Sequence, residues 1–436
     1  MGLRVLIVHT MLEHRTGSEM YGVELAEQLA RTGHHPVLHA PTTGPLLEEI
    51  RARGLPFVGD LAELSESPDV IHGNHAVETL VALHAFPDVP AVFVCHDDVY
   101  WGSQAPLHTG VRRYVAVGDS THDRLAATRG LDPALIRTVQ NGVDLDRFPP
   151  RGPLPPTPRR AVYFSNYIPA AGVVGEACAQ LGLELTVVGL GAGTPTDDPA
   201  AVLREADVVF AKARCALEAL AVGCAVVVCH TTGHGPLVTT DSYDDLRARN
   251  LGVTAYTRPL SVDGLVAEVR RYDPHDAANV SAIVRAEDSL AATTAALVEV
   301  YFEAIADRRD GVLDRTWGVG VLTTAARRIR EAEHIPARDQ RILDLEAELR
   351  AQRNELDVAY AELDRLRALL VAAGEEHELT RVHARNLEAL RSAAEDDVAA
   401  LRAEMIRARE ALGEASRART GRGLLRGSRR RPRPAP

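Results

Sequence analysis

The 436-residue sequence predicts an α/β protein with two doubly wound domains followed by a long α-helical coiled coil. Three observations predict this. Short apolar segments of strand length alternate with helical patterns, which is typical of parallel sheets covered by helices. Six prolines within residues 149–158 interrupt the alternation, which resumes at Ala161. After Ile305 the sequence becomes rich in Ala, Arg, Glu and Leu, as in long charged helices.

The first domain is predicted to span residues 1–148 as a Rossmann-like unit. Its first apolar run, residues 3–8, has the continuous hydrophobic character of a buried parallel strand. A turn-rich segment follows, and then a helical pattern in which Val23, Ala26 and Leu29 share one face. The later predicted strands of this domain are Asp69–His72, Ala91–Cys95, Tyr114–Val117 and Ile136–Val139.

A second Rossmann-like domain is predicted over residues 161–305, after a stiff Pro-rich linker at 149–160. Its predicted strands are 161–165, 185–189, 206–211 and 225–229. Two such domains joined by a linker form a cleft, and folds of this kind bind ligands at the carboxyl ends of their strands. The sequence therefore predicts a ligand site between the domains.

Residues 306–337 are predicted to connect the second domain to a coiled coil at 338–416. Residues 338–416 contain no proline, and their apolar residues recur at the a and d positions of a heptad, with a stutter near Gly374. The heptad residues include Ile342, Leu345, Leu349, Leu356, Leu363, Leu366 and Leu370. We expect the coiled coil to bind a second copy of the chain or a partner helix; the alternative is a single solvated helix.

The last segment, residues 417–436, contains eight Arg and no acidic residue. Such a tail can contact an anionic membrane at about 1 kcal/mol per basic residue, and the alternative is a disordered solubilising tail. Five cysteines without a CxxC pair indicate reduced thiols. The N-terminus lacks the pattern of a signal peptide, and no apolar stretch has the length of a membrane span. We expect a cytoplasmic protein, and the first of the two interpretations of the tail would add peripheral contact with the inner membrane face.

Charge and motif content exclude several function classes. The formal net charge of −11 comes from an acidic globular part, which argues against a nucleic-acid partner. His72 and His75 have no Cys or acidic partner at ligand spacing, so no metal site is predicted. No GxSxG, HExxH or P-loop motif occurs, which argues against the common hydrolase and kinase classes.

Several segments together resemble the GT-B glycosyltransferases of family four. They are TGSEMYGVELAEQLARTGHHPVLHAP, PDVIHGNH, VFVCHD, LEALAVGCAVVV and, as the most specific, the run of Val139, Asn141, Gly142, Val143, Asp144 and Phe148. The resemblance covers residues 3–305. It implies retaining transfer of a sugar from a nucleotide sugar, such as a UDP- or GDP-sugar, to a hydroxyl acceptor. It implies no metal and no further cofactor.

The resemblance assigns the donor nucleotide to residues near the LEALAVG segment. Glu218 is implied to hold the ribose hydroxyls; the alternative is an exposed first-turn Glu that favours the helix dipole. A sugar nucleotide carries a diphosphate, whose charge a basic side chain can neutralise. Lys212, the only lysine of the chain, and Arg214 are candidates for that role, although chance placement is an alternative for Lys212.

His96 ends a predicted buried strand, and the resemblance implies that such a His faces the donor sugar across the cleft. A lone His is otherwise structural. Asp97 follows it and either orients the ring or caps the next turn. These two residues are the candidate catalytic pair.

The remaining candidates lie in loops. Gly17 and Glu19 occupy the first loop, where a glycine permits close backbone approach to a phosphate, and the alternative is a simple turn. Asn141 and Gly142 are implied to lie between the domains, or form only a structural turn. Two glycines of VVGLGAG, Gly189 and Gly191, follow a predicted strand as a nucleotide-facing loop would.

The sequence departs from the family pattern in three ways. The position of the family's other Glu, eight residues before Glu218, is Phe210. The segment 165–172 lacks the family's Arg and Lys, and the interval before 206 is short, so the second domain is predicted to be reduced. These departures support an alternative function, an inactive scaffold oligomerised by the coiled coil; a sugar-nucleotide epimerase is disfavoured because its motifs differ. For an active enzyme, we expect a polysaccharide or lipid-linked acceptor from cell-envelope or exopolysaccharide assembly.

Overall fold

The structure, a computed structural model, describes residues 2–97, 101–165, 171–189, 193–196 and 198–307, and scattered positions between 365 and 403. The chain divides into two compact units, Met1–Leu322 and Thr323–Pro436. The first unit contains two lobes, each built on its own β-sheet.

The first lobe contains nine strands and four helices among the described residues 2–138. The strands are β1 (Arg4–Val8), β2 (Met11–Leu12), β3 (His35–His39), β4 (Thr42–Thr43), β5 (Phe57–Val58), β6 (Val70–Gly73), β7 (Ala91–Cys95), β8 (Val111–Ala116) and β9 (Ile136–Thr138). The helices are α1 (Gly17–Arg31), α2 (Leu46–Ala52), α3 (Ala76–Ala85) and α4 (Asp119–Ala126). Seven strands form one parallel sheet in the order β5-β3-β1-β6-β7-β8-β9.

The second lobe carries five strands, β10 (Arg160–Phe164), β11 (Glu184–Val188), β12 (Val208–Ala211), β13 (Ala225–His230) and β14 (Gly233–Leu237). Its chain also forms α5 (Ala171–Leu181), α6 (Pro199–Glu205), α7 (Ala213–Val222), α8 (Tyr243–Ala248), α9 (Val262–Val269), α10 (Pro274–Glu287) and α11 (Leu290–Ala306). The sheet order is β11-β10-β12-β13-β14, and only the edge strand β14 runs antiparallel to its neighbour.

The parallel strands are built from the apolar runs identified in the sequence. All five residues of β7 and all four residues of β12 are buried, because helices cover both faces of each sheet. This architecture confirms the predicted α/β class with two doubly wound lobes. The edge strand β14 was not predicted, since its sequence GHGPL contains two glycines and a proline.

Helix α11 crosses back to the first lobe. The backbone N–H of Leu290 donates to the carbonyl oxygen of Val143 at 2.7 Å. Its buried face then joins the first-lobe core through Leu297, Val300, Tyr301 and Ala304. The predicted range 161–305 groups this helix with the second domain by sequence, whereas its packing surface belongs to the first lobe.

The second unit is described only at scattered positions, and those positions are helical. One ion pair spans a helical turn there, with Arg391 Nε 3.1 Å from Glu395 Oε1. Apart from these positions and residues 306–307, the predicted connector, coiled coil and tail at 306–337, 338–416 and 417–436 lie outside the described residues and remain predictions. None of the described helices is long and apolar enough to cross a membrane.

Candidate functional site at the cleft between the lobes

A cleft of about 270 Å³ opens between the two lobes. On the first-lobe side it is lined by the loop at residues 13–16 and by Gly17 and Met20 at the start of α1. On the second-lobe side it is lined by the residues that end β10 and β11 and by residues 214, 215 and 218 of α7. This is the position at which doubly wound folds bind ligands, next to the carboxyl ends of parallel strands.

Four charged side chains meet beside this cleft and link the lobes. Arg214 of α7 bonds Glu218, one helical turn further on, with 2.7 Å between Nε and Oε1, and it also bonds Glu24 of α1 through Nη2. The other carboxylate oxygen of Glu24 accepts from Arg147 Nη1 at 2.6 Å. Two arginines and two glutamates therefore balance one another, and Glu24, whose side chain is 1% exposed, lies at the centre.

Burial and charge act in opposite directions on the two carboxyl groups. Burial alone would raise the pKa of Glu24, but the contacts with Arg214 and Arg147 outweigh it and lower that pKa. For Glu218, burial is the larger effect, and its pKa is raised despite Arg214. The pKa of Arg214 is raised by the two carboxylates against the effect of its burial. Glu218 is thus the carboxylate of this cluster that is less strongly stabilised in its charged form.

Glu218 is buried and lies in the second turn of α7, so it is not the exposed first-turn residue of the alternative interpretation. Its neighbour Arg214 lines the same cleft. The structure therefore brings two of the predicted donor-binding residues together. It also shows that they bond each other as an i, i+4 pair, which the sequence analysis did not predict.

The strand β12 runs into α7 through a very short connection. Lys212 is the N-cap residue, and Ala213 follows with a φ of 46°, in the left-handed region that non-glycine residues rarely adopt. The N–H of Ala213 donates to the carbonyl oxygen of Leu251 at 2.9 Å, which holds this turn. Lys212 is half-buried and is not among the residues that line the described cleft.

The departure from the family pattern at position 210 falls within a strand. Phe210 lies within β12, is fully buried and packs in the second-lobe core. The side chain at this position therefore faces the protein interior. A sugar-recognising carboxylate cannot occupy it without entering that core.

Glu19 organises the first loop from inside. Its Oε1 accepts from the backbone N–H groups of Glu13 at 2.8 Å and His14 at 3.3 Å, and its Oε2 accepts from Thr16 Oγ1 at 2.6 Å. Glu19 is buried, whereas Gly17 lines the cleft and has open space where a Cβ would be. The structure therefore places both residues in the first turn of α1 and not in the loop as predicted: Glu19 supports the preceding loop, and Gly17 begins the helix beside the cleft.

Of the two predicted loop glycines after β11, Gly189 lines the cleft and pairs with Thr194, its N–H donating to the Thr194 carbonyl oxygen at 3.1 Å. Gly191 lies outside the described residues. The first of these placements agrees with a loop that faces a nucleotide.

Asn141 and Gly142 lie where the chain passes from the first lobe to the second. A Cβ on Gly142 would lie 2.5 Å from the carbonyl oxygen of Ser289, so this position requires glycine. The carbonyl oxygen of Asn141 accepts from Arg247 Nη2 at 2.5 Å. Gly142 therefore packs against the residue that precedes α11, and Asn141 is held by α8.

Asp144 of the same motif orients a charged neighbour. Its Oδ1 accepts from the backbone N–H groups of Asp146 at 3.1 Å and Arg147 at 3.2 Å, which forms a capped turn. This turn directs Arg147 toward Glu24. Arg147 and Glu24 were both missed by the sequence analysis. Arg147 lies inside the matched motif, which was a usable signal, but no spacing rule distinguishes Glu24 from the other polar residues of α1.

His96 follows β7 and belongs to a cluster of polar rings that the sequence analysis did not predict. Its Nε2 is 2.7 Å from Asn74 Oδ1, and its ring meets Tyr21 edge-on with 4.4 Å between ring centres. Burial, with the nearby His72 and His75, lowers the pKa of His96 to about 3. His96 is half-buried and is not among the residues that line the described cleft.

Asp97 is exposed. Its carbonyl oxygen accepts from Arg124 Nη1 at 2.6 Å and from Cys95 Sγ at 3.5 Å. No group of three or more His, Cys, Asp and Glu side chains within the described ranges is arranged to hold a metal ion.

Comparisons with known proteins agree with this architecture. Residues 15–147 match the model of Glycosyltransferase Family 4. The chain is similar to the structure of HepE from Anabaena in complex with UDP and glucose, with 14% identity and a TM-score of 0.51 over 68% of this chain and 98% of that one. A comparison with curated protein sequences found no match.

Two further solved structures resemble the chain more distantly. A glycosyltransferase from Rickettsia africae has 15% identity and a TM-score of 0.49, covering 71% of this chain and 100% of its own. WaaG, a glycosyltransferase involved in lipopolysaccharide biosynthesis, has 13% identity and a TM-score of 0.46, covering 68% and 99%. The likeness to HepE shows the GT-B fold and confirms the part of the expected fold that consists of two Rossmann-like lobes.

Proposed function

We propose that the protein transfers a sugar from a nucleotide sugar to a hydroxyl acceptor, because residues 15–147 match the model of Glycosyltransferase Family 4 and the fold resembles that of HepE. The observation that carries this proposal is the cleft in which Arg214 and Glu218 meet the first loop of the other lobe. A nucleotide sugar bound there would contact both lobes. Its sugar would then face the first lobe, from which the acceptor is proposed to approach.

Glu218 is the proposed ligand of the donor ribose. A carboxylate can accept hydrogen bonds from two neighbouring hydroxyl groups, and Glu218 keeps one oxygen, Oε1, on Arg214. Its buried position at the cleft wall limits competition from water. The ribose would therefore bind to a carboxylate whose orientation the neighbouring arginine has already fixed.

Arg214 is the proposed ligand of the diphosphate. Its Nε and Nη2 are engaged by Glu218 and Glu24, and none of the described residues bonds its Nη1. The first turn of α7 also carries backbone N–H groups without an intrahelical acceptor, which favour an anion. Lys212, at the N-cap, would add charge near this point. Arg214, Lys212 and the N–H groups of α7 would together stabilise the negative charge that develops on the diphosphate when its bond to the sugar C1 breaks.

The finer features of the reaction follow the family resemblance. We propose that transfer retains the configuration at C1 and proceeds without a metal, with His96 facing the sugar. The acceptor oxygen would form the new bond to C1 as the bond between C1 and the phosphate oxygen breaks, and the acceptor proton would pass to the departing nucleoside diphosphate. An acceptor from cell-envelope or exopolysaccharide assembly, polysaccharide or lipid-linked, is consistent with a basic tail at a cytoplasmic membrane face.

The test is calorimetric titration of the full chain with UDP, GDP and their sugar derivatives. We expect binding to one nucleotide, and an affinity reduced by about tenfold to a hundredfold in Glu218→Gln, because hydrogen bonds to a charged group are lost. Glu184→Gln is the matched control, since Glu184 is an exposed residue of β11 in the same lobe. Its affinity should equal that of the unmodified protein.

A scaffold without catalytic activity is the second candidate. It is favoured by the burial of Phe210, which removes one acidic position of the family pattern, and by the charge balance around Glu24. If the unmodified chain binds none of the nucleotides, the transferase proposal fails and the scaffold is the better function.

A further inference from the structure

Three histidines surround one amide side chain at the carboxyl edge of the first-lobe sheet. His9 follows β1, His72 lies in β6 and His96 follows β7. Asn74 is fully buried, and its side chain contacts His9, His72 and His96. A primary amide has one acceptor end and one donor end. The way in which Asn74 is turned therefore decides which nitrogen of each ring carries hydrogen.

A backbone carbonyl fixes the direction of the amide. Asn74 Nδ2 is 3.2 Å from the carbonyl oxygen of Val8, and a carbonyl oxygen can only accept a hydrogen bond. This end of Asn74 is therefore the NH₂ group. Its second hydrogen is directed at His9 Nε2, 3.0 Å away, which must then be the unprotonated nitrogen of that ring.

The opposite end, Oδ1, must accept from both remaining histidines. His72 Nε2 lies 3.2 Å and His96 Nε2 lies 2.7 Å from this oxygen, so both nitrogens carry hydrogen. His72 Nδ1 is then the acceptor for the hydroxyl of Tyr301, which is 2.7 Å away. Every contact of Asn74 and His72 is satisfied by this one arrangement.

The same arrangement leaves His96 with hydrogen on Nε2 and a lone pair on Nδ1. Burial lowers the pKa of His9 well below its usual value, that of His72 to about 4 and that of His96 to about 3, so the three rings around Asn74 are neutral at pH 7. His9 and His72 are fully buried, but His96 is only half-buried. None of the described residues bonds Nδ1 of His96. Of the three rings around Asn74, His96 is the one with exposed surface, and Nδ1 is its acceptor nitrogen in this arrangement.

We propose that Asn74 is a positioning residue that holds His96 with hydrogen on Nε2, so that Nδ1 accepts a hydrogen bond from a sugar hydroxyl of the donor. The ligand part of this inference rests on the proposed function. The edge contact with Tyr21, 4.4 Å between ring centres, restricts rotation of the His96 ring and so preserves this presentation. A ring held this way selects for a hydroxyl group, which can donate, over a carboxylate or phosphate oxygen, which cannot.

The tautomer can be measured directly by nitrogen NMR of the full chain labelled at histidine, at pH 7.5. The His96 signals are identified by their loss in His96→Gln. We expect an unprotonated Nδ1 and a protonated Nε2 for His96. His39 is the internal control, because its Nδ1 lies 3.1 Å from the carbonyl oxygen of Val58 and must carry hydrogen, which gives the opposite pattern. A protonated Nδ1 on His96 would overturn the proposal, whether or not the protein transfers sugar.

The role of Asn74 is tested with Asn74→Leu, which removes the acceptor at similar volume. The His96 signals should then show both tautomers, whereas the His39 signals should not change. Affinity for UDP-glucose should fall by about threefold to tenfold, the value of one neutral hydrogen bond, while affinity for UDP is unchanged. If a guanine nucleotide is the ligand, GDP-mannose and GDP replace this pair. Equal losses for nucleotide and nucleotide sugar, or an unchanged His96 tautomer, would refute the positioning role.

Discussion

Glu24 of the first lobe and Arg214 of the second form an ion pair within the protein, and a second arginine, Arg147, bonds the same carboxylate. The side chain of Glu24 is 1% exposed and that of Arg214 is 18% exposed. Removing one partner of such a pair leaves a charge that is both buried and uncompensated. The contact between the lobes therefore depends strongly on this single carboxylate.

We expect Glu24→Gln to lower the free energy of unfolding by about 3 kcal/mol, because both arginines lose their counter-charge while the shape of the side chain is kept. Urea denaturation of the full chain measures the change. Glu48→Gln is the control, since Glu48 is an exposed glutamate of α2, and its effect should stay within about 0.5 kcal/mol. A change in Glu24→Gln no larger than in the control would show that the pair does not stabilise the fold.

Gly142→Ala is expected to destabilise the protein by about 1–3 kcal/mol, because the added carbon would lie 2.5 Å from the carbonyl oxygen of Ser289 and 2.6 Å from Thr293 Oγ1. Thermal unfolding provides the measurement. Gly172→Ala, in α5, has open space at its Cβ position and should be neutral or slightly stabilising. Equal melting temperatures for the two variants would contradict the close approach at Gly142.

Phe210→Glu restores the family's acidic residue in sequence but is expected to unfold the second lobe. A carboxylate at this fully buried position of β12 would cost about 4 kcal/mol or more. Circular dichroism and the yield of soluble protein report the outcome, and Phe210→Leu, which keeps the position apolar, should remain folded. A folded Phe210→Glu protein with improved donor affinity would show that the position reaches the site.

Acid should destabilise the first lobe before most carboxylates titrate. Burial lowers the folded-state pKa of His72 and His75 to about 4 and that of His96 to about 3, and it also lowers the pKa of His9 well below its usual value. Unfolded histidine titrates near 6.5. The unfolded chain therefore binds more protons below pH 6.5. Stability is complete above that pH and decreases as the pH falls toward 4, by up to about 1.4 kcal/mol per pH unit for each histidine.

Urea midpoints between pH 7.5 and 5 test this dependence. The pH dependence should be shallower in His96→Gln, because one of the titrating rings is gone. A midpoint that does not change over this interval would mean that these rings are already charged, or exposed, in the folded protein.

Much of the fold could be predicted from the sequence because buried parallel strands are recognisable one at a time. The strand β7, AVFVC, reads as a buried strand without knowledge of its neighbours. The surface against which a helix packs cannot be predicted from the helix sequence alone. The apolar residues of α11 predict a buried helix, but only the tertiary structure shows that Tyr301 contacts His72, 229 residues away in sequence.

The candidate site shows the same division. Arg214 and Glu218 are one helical turn apart, so their proximity follows from the sequence once α7 is predicted. Glu24 and Asn74 act through contacts with residues up to 190 positions away. The spacing of residues along the sequence does not predict such long-range contacts. The one sign of them in the sequence is a polar residue among apolar neighbours.

The return of α11 to the first lobe has a consequence for synthesis of the chain. The core residues Leu297, Val300 and Tyr301 leave the ribosome after the whole second lobe has been made. The amino-terminal lobe therefore cannot complete its core first, as the amino-terminal domain of a multidomain chain usually does. Its exposed apolar surface must wait for a segment almost 300 residues downstream, so the two lobes should mature as one cooperative folding unit, with the earlier one finishing last.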